Sequence, residues 1–65
     1  MKVWDYKLEK RIEMPEEMFL FLKDIEKVCK KYNLSLSHED SIGLFVVTNY
    51  DERNIKWLFE SIKDY

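Results

Sequence analysis

The residues best suited to chemistry in this chain form the run His38-Glu39-Asp40, which joins the only histidine to two carboxylates. An imidazole beside acidic side chains could ligate a metal ion or act in acid–base catalysis. The spacing argues against both roles, because adjacent residues of a strand point to opposite faces and metal sites draw ligands from several elements. We therefore expect a polar hairpin loop whose His and Asp side chains bond to local backbone. We expect no metal or other cofactor.

The only cysteine, Cys29, is the second candidate for chemistry. A nucleophilic thiol needs a lowered pKa and a neighbouring base, whereas Cys29 falls on the inner stripe of a predicted helix. We expect it to be buried as a small hydrophobic residue. The sequence has no Gly-rich phosphate loop, paired-cysteine motif or nucleophile elbow. Since so short a chain can hardly build a catalytic cleft, we expect that it is not an enzyme.

Composition and charge narrow the remaining classes of function. Apolar residues are 46% of the 65 residues and aromatics are 15%, which favours one globular domain over residues 1–65. The net charge of −2 is unlike that of a nucleic-acid-binding protein, so we expect no nucleic acid partner. The longest apolar run, residues 18–22, is far shorter than the ~20 residues that span a bilayer. With no signal-peptide pattern at the N-terminus, we expect a cytoplasmic protein without a membrane partner.

The first half of the chain predicts a strand and then a helix. Residues 3–14 alternate, which indicates a strand with one buried face; the residues of the buried parity are Trp4, Tyr6, Leu8, Ile12 and Met14. Trp4, Leu8 and Ile12 also fit helical i, i+4 spacing, so a helix is the alternative. Pro15 suits the first helical position, and helical spacing then continues to Tyr32 through Met18, Leu22, Ile25 and Cys29. Asn33 tolerates the left-handed conformation that ends many helices.

The second half predicts a hairpin and a second helix. Leu34 to His38 reads as a strand with Leu34 and Leu36 on one parity, and residues 39–43 contain turn formers. Leu44 to Thr48 has the apolar, β-branched composition of a central strand. Asp51 is a good N-cap for a helix, whose apolar face comprises Ile55, Leu58, Phe59 and Ile62.

These elements predict an α+β fold with the order β-α-β-β-α. The simplest assembly is a two-layer structure, in which a three-stranded sheet carries two helices on one face. The hairpin is antiparallel, and the first strand joins it at an edge through a right-handed crossover. The pattern leaves open whether the first strand lies beside the second or the third.

Large apolar side chains exceed what one core face can hide. Trp57 points away from Leu58 and Phe59 on the second helix, beside Arg53 and near Tyr50. Because Trp, Tyr and Arg are enriched at interaction hot spots and exposed apolar patches mark partner surfaces, we predict a protein-binding site. Its residues are Trp57, Arg53, Tyr50, His38, Glu39 and Asp40. The alternative is that Trp57 folds over the sheet edge with Arg53 stacked on it.

Part of the sequence resembles a group of small uncharacterised proteins from phages and prophages of Gram-positive bacteria. The likeness covers about thirty residues and comprises residues 29–40, Gly43-x-Phe45, and Tyr50-Asp51-x-x-Asn54-Ile55-x-Trp57-Leu58. Members usually have another residue where Ile42 stands, so no detail of the loop is carried over. The resemblance transfers no activity. It implies a phage origin, a location in the host cytoplasm, and action by binding and inhibiting or redirecting a host protein.

Three functions are compatible with these features. The first is a non-enzymatic protein-binding module, a phage-type accessory protein that engages a host or phage protein and inhibits a host defence or metabolic protein. The second is a self-associating structural protein that buries its apolar excess in a homodimer. The third is a small-ligand or nucleotide-binding domain that uses the helix start at Asp51. It is disfavoured, because Asp51 and Glu52 already occupy that helix end and would repel phosphate.

Overall fold

The computed structural model describes all of residues 1–65 and contains two helices and two antiparallel hairpins. In chain order the elements are β1 (Lys2–Asp5), β2 (Lys10–Glu13), α1 (Glu16–Tyr32), β3 (Leu34–Glu39), β4 (Leu44–Asn49) and α2 (Glu52–Phe59). Among the strands, β1 pairs with β2 and β3 pairs with β4. The α+β class with two helices is confirmed, but the predicted three-stranded sheet is wrong, because the strands form two separate two-stranded sheets.

The prediction of a three-stranded sheet fails because the segment predicted as the first strand, residues 3–14, forms a hairpin of two strands. The Asp5 carboxylate accepts hydrogen bonds from the backbone N–H groups of Lys7 (2.9 Å) and Leu8 (2.8 Å). Glu9 then adopts a left-handed conformation (φ 55°), and its N–H donates to the Asp5 carbonyl. This turn, which the Asp5 side chain closes, divides residues 3–14 into β1 and β2. It brings Val3 opposite Ile12.

The predicted buried parity of residues 3–14 is wrong for β1, although Ile12 and Met14, which belong to that parity, do pack against the core. Val3 is only 3% exposed and Asp5 is also buried, whereas Trp4 is 43% exposed and Tyr6 and Leu8 lie at the surface. Asp5 is tolerated inside because its oxygens are hydrogen-bonded and paired with Lys63 Nζ at 3.3 Å. Residues after α2 complete this arrangement, since Lys63 exchanges backbone hydrogen bonds of 2.8 Å with Trp4 and Tyr6 beside β1. Ile62, predicted on the apolar face of α2, lies beyond the helix and is exposed.

The observed positions of both helices agree more closely with those predicted from the sequence. α1 begins one residue later than predicted, with Pro15 at the N-cap position, and ends at Asn33 in the left-handed conformation (φ 57°, ψ 37°). It buries Met18, Leu22 and Cys29, so the expected burial of the cysteine is confirmed. Asp51 caps α2 by accepting a hydrogen bond from the Arg53 N–H. Neither helix has the length and apolar character needed to cross a membrane.

The hydrophobic core is small for the length of the chain. Only eight of the 65 residues are buried, and the six apolar ones are Val3, Met18, Leu22, Cys29, Ile55 and Leu58. The solvent-accessible surface is 5236 Å², whereas a monomeric protein of this mass usually exposes about 4,450 Å². The radius of gyration is 12.7 Å, against about 11 Å for a compact chain of this length. An extra accessible area of roughly 800 Å² therefore separates this structure from an ordinary monomer.

The β3–β4 hairpin accounts for much of the open shape. Both helices contact β3, but no Cα atom of β4 lies within 8 Å of a Cα atom in another element except β3. All six residues of β4 are exposed, although their composition predicted a central strand. The hairpin thus projects from the core with its outer strand uncovered.

The reversed parity of β1 gives a direct test of the N-terminal hairpin. Replacing Val3 by Ala removes buried methyl groups and should lower the free energy of unfolding by about 2 kcal/mol. Replacing Leu8 by Ala at the exposed turn should change it by less than about 1 kcal/mol. Urea denaturation followed by circular dichroism measures both values. A larger loss for Leu8→Ala than for Val3→Ala would instead favour the single strand predicted from the alternation.

The Asp5–Lys63 pair should make stability depend on pH. The Leu8 N–H and the Lys63 ammonium hold the pKa of Asp5 below its ordinary value of 3.8. Because the unfolded chain then takes up a proton more readily, this stabilisation is present above pH 3.8 and is lost as the pH falls through the lower folded pKa. Asp5→Asn, which can still accept the turn hydrogen bonds, should be less stable than the wild type at pH 6. The difference in urea midpoint should narrow at pH 2.5; an equal difference at both values would contradict this role.

Candidate functional site

Two of the predicted site residues, His38 and Trp57, come together across the boundary between β3 and α2. Their ring centroids lie 4.7 Å apart with an interplanar angle of 28°, which is a stacked arrangement. Trp57 is half-buried and packs against the core, while its outer ring surface meets His38. Trp57 therefore does lie over the sheet, as the alternative interpretation held, but its stacking partner is His38 and not Arg53.

The loop beside this stack is closed by its own side chains. Asp40 Oδ1 pairs with His38 Nδ1, and Glu39 accepts hydrogen bonds from the N–H groups of Ser41 (2.9 Å) and Ile42 (2.8 Å). Hydrogen bonds from Ser41, reinforced by the Ile42 N–H, lower the pKa of Glu39. Gly43 completes the turn with φ 70°. No three His, Cys, Asp or Glu side chains of the chain are grouped as a metal site. The bonds to local backbone that were expected of the His and Asp side chains are made by Glu39 instead, since His38 and Asp40 bond to each other.

Tyr50 and Arg53 are engaged in local hydrogen bonds at the start of α2. Tyr50 Oη donates to Glu52 Oε1 at 2.8 Å, and this bond raises the pKa of Tyr50 to about 12. Arg53 forms a two-point pair with Asp51, with Nη2 to Oδ2 at 2.9 Å and Nε to Oδ1 at 3.2 Å. This pairing lowers the pKa of Asp51 and raises that of Arg53. Both side chains therefore cap and brace the helix start, and His38, Asp40 and Trp57 form a separate group.

The most prominent concavity is an apolar groove between α1 and the β3–β4 hairpin, with a volume of about 350 Å³. Eight of its ten lining residues are apolar, and Asp24 at the rim is the only charged one. The apolar lining comprises Phe21, Ile25, Val28, Cys29, Tyr32, Leu34, Leu36 and Val47. Val47 was missed, because its composition suggested a strand covered on both sides.

The groove and the His38–Trp57 stack lie on the same side of the hairpin. Leu36 is directly opposite Val47, and His38 is directly opposite Phe45. Because strand residues two apart share a face, these four side chains form one row of neighbours, which we call the groove face. Phe45 is 76% exposed and is the most exposed large apolar residue of the protein. The groove face is thus an uncovered apolar surface with an aromatic pair at one end.

No protein-family model, curated protein or solved structure matches this chain.

The His38–Trp57 stack should be visible in tryptophan fluorescence. In a Trp4→Phe variant Trp57 is the only indole, and the stacked His38 ring covers one face of it. Replacing His38 by Ala at constant pH uncovers that face, so the emission of Trp57 should shift to longer wavelength and acrylamide should quench it more strongly. Emission and quenching that are the same in Trp4→Phe and Trp4→Phe/His38→Ala would show that the two rings are not stacked in solution.

Proposed function

We propose that this chain is a small non-enzymatic protein-binding module, an accessory protein of the phage or prophage type that binds and inhibits a host protein. The observation that carries the proposal is the apolar groove between α1 and the β3–β4 hairpin, together with the exposed side chains of Phe45 and Val47 beside it. Exposed apolar surface of this extent is characteristic of interaction sites. The resemblance of residues 29–58 to small phage proteins supplies the phage origin and the inhibitory role.

The chemistry of the groove favours an apolar side chain of a protein as its occupant. Its volume is at the lower end of the range for ligand pockets, which is about 300–1,000 Å³, and suits one or two side chains of Leu, Met or Phe type. Burying one such side chain contributes about 1.5–3 kcal/mol to binding. Phe21 and Tyr32 at the groove supply large, rigid surfaces of the kind that dominate interface energetics.

The alternative of a nucleotide-binding domain gains no support from the same geometry. A small-molecule pocket needs precisely placed polar groups to orient the ligand, and the groove offers one carboxylate at its rim. The N-terminus of α2, which could hold a phosphate, is occupied by the Asp51 carboxylate. We therefore assign the binding role to the groove face, which includes His38, and extend it to Asp40 and Trp57, which adjoin it. Arg53 and Tyr50 support this surface through α2.

The decisive variant places a charge inside the groove. Val28→Asp buries a carboxylate in the docked state and should weaken partner binding at least tenfold, since an unpaired charge in an interface costs well over 1.4 kcal/mol. Leu20→Asp is the matched control: Leu20 is on the same helix and 53% exposed, against 55% for Val28, but it does not line the groove. Its affinity should stay within about twofold of the wild type.

The measurement has two stages. Immobilised wild-type protein is first used to isolate a partner from the lysate of a Gram-positive bacterium, and the protein retained is identified by mass spectrometry. Its affinity for the wild type, Val28→Asp and Leu20→Asp is then determined by calorimetry with the purified partner, together with the effect on the partner's activity. Equal affinity of all three would place the contact elsewhere, and a partner whose activity is unchanged would remove the inhibitory role.

A further inference from the structure

The outer edge of β4 is an unprotected strand edge. Its sequence, Leu-Phe-Val-Val-Thr-Asn, contains no charged residue and no proline. Soluble proteins normally protect such edges with lysines, prolines, bulges or a covering element, because free backbone groups recruit other strands. Here the hairpin is regular over all six residue pairs, and no Cα atom of β1, β2, α1 or α2 lies within 8 Å of one in β4. The edge is therefore uncovered and regular enough to accept another strand.

The hydrogen-bond pattern identifies which backbone groups are free. The Tyr50 N–H donates to the Asn33 carbonyl at 3.1 Å, so that even-numbered residues of β4 bond towards β3. In an antiparallel ladder the intervening residues direct both N–H and C=O away from the partner strand. Phe45 and Val47 thus present four unpaired groups at the edge, and neither makes a backbone hydrogen bond outside the hairpin.

The low stability expected of a two-stranded hairpin also favours the addition of a further strand. A two-stranded hairpin is marginally stable in water, and three or more strands with a covered apolar face are needed for independent stability. Both faces of β4 are exposed: Phe45 and Val47 lie on one side, and Leu44 and Val46 on the other. The extra accessible surface of roughly 800 Å², measured against an ordinary monomer, equals the share that one partner contributes to a standard interface, about 800 Å².

We propose that the occupant of this edge is a second copy of the same chain. Two β4 strands pair antiparallel about a two-fold axis and join the two hairpins into one four-stranded sheet. The pairing uses the four free groups of each copy when Phe45 lies opposite Val47 of the second copy, which sets Val46 opposite its own counterpart on the axis. Such an interface is self-complementary, as a two-fold dimer requires. No ionisable side chain of β4 opposes the approach.

Pairing of this kind has a consequence for the groove face. Residues directly opposite each other in an antiparallel pair lie on the same side of the sheet, so Phe45 of each copy lies beside Val47 of the other. The groove faces of both copies then become one continuous apolar surface. The inference goes beyond the proposed function, because it concerns the strand edge and requires no host protein.

The position of Val46 on the axis allows a charge-exchange experiment. The wild type should have a mass of about 16 kDa, twice 8.0 kDa, in light scattering at 100 µM. Val46→Lys alone and Val46→Glu alone each place like charges directly opposite each other, which is destabilising, and should weaken dimerisation at least tenfold. An equimolar mixture of the two should recover the dimer as a mixed pair. Leu20→Lys, on the exposed side of α1, should remain dimeric.

A second variant tests the same strand pairing without a charge, so that the test does not depend on the folding of the Val46 variants. The chain is short enough for chemical synthesis, and N-methylation of the Val47 amide removes an outward N–H while leaving the bonds to β3 intact. This variant should keep its circular dichroism spectrum and become monomeric. A wild type of 8 kDa at 100 µM, a dimer that persists in both charged variants, or a mixture that stays monomeric would each overturn the proposal. Val28→Asp should remain dimeric, which separates this result from a failure of the groove as a docking site.

Discussion

The structure depends on the burial of six apolar side chains contributed by β1, α1 and α2. A chain of this length has little apolar surface to remove from water, and conformational entropy opposes every residue it orders. The two helices lie side by side and hold β3 at their junction, which leaves β4 without support from the core. The same constraint that makes the fold small therefore also creates its exposed hairpin.

The buried hydroxyl of Ser35 links the β3–β4 hairpin to α2 through hydrogen bonds. Ser35 is 1% exposed; its Oγ donates to the Asn49 carbonyl at 2.7 Å and accepts from Asn54 Nδ2 at 3.0 Å. These bonds connect β3, the end of β4 and α2 at one point, and they satisfy a polar group that would be costly to bury alone. Leu34 and Leu36 alternate with Ser35 along β3, and all three residues line the groove. The hydroxyl that links the hairpin to α2 therefore lies beside the groove.

The same residues show how far the sequence determines the structure. Both helices were predictable, since their caps at Asn33 and Asp51 and their apolar spacing are local signals. The β3–β4 hairpin was predictable for the same reason. The side of β1 that faces the core was not, because Asp5 is buried through a bond to Lys63, which is distant in sequence. The burial of Ser35 in β3 depends in the same way on Asn49 and Asn54. Of the predicted site, the proximity of His38 and Trp57 depends on this orientation of β3, so that sequence spacing could not have indicated it.

Pairing through β4 and docking in the groove are physically compatible, because they use perpendicular directions of the same hairpin. Edge pairing extends the sheet in its plane, whereas a partner side chain enters the groove from above that plane. If the two copies join with their groove faces on one side, a partner that offers two apolar anchors can occupy both grooves. The second contact is then intramolecular and raises the overall affinity well beyond that of one groove. A small chain with a weak core can in this way build a rigid, bivalent binding surface that neither copy could support alone.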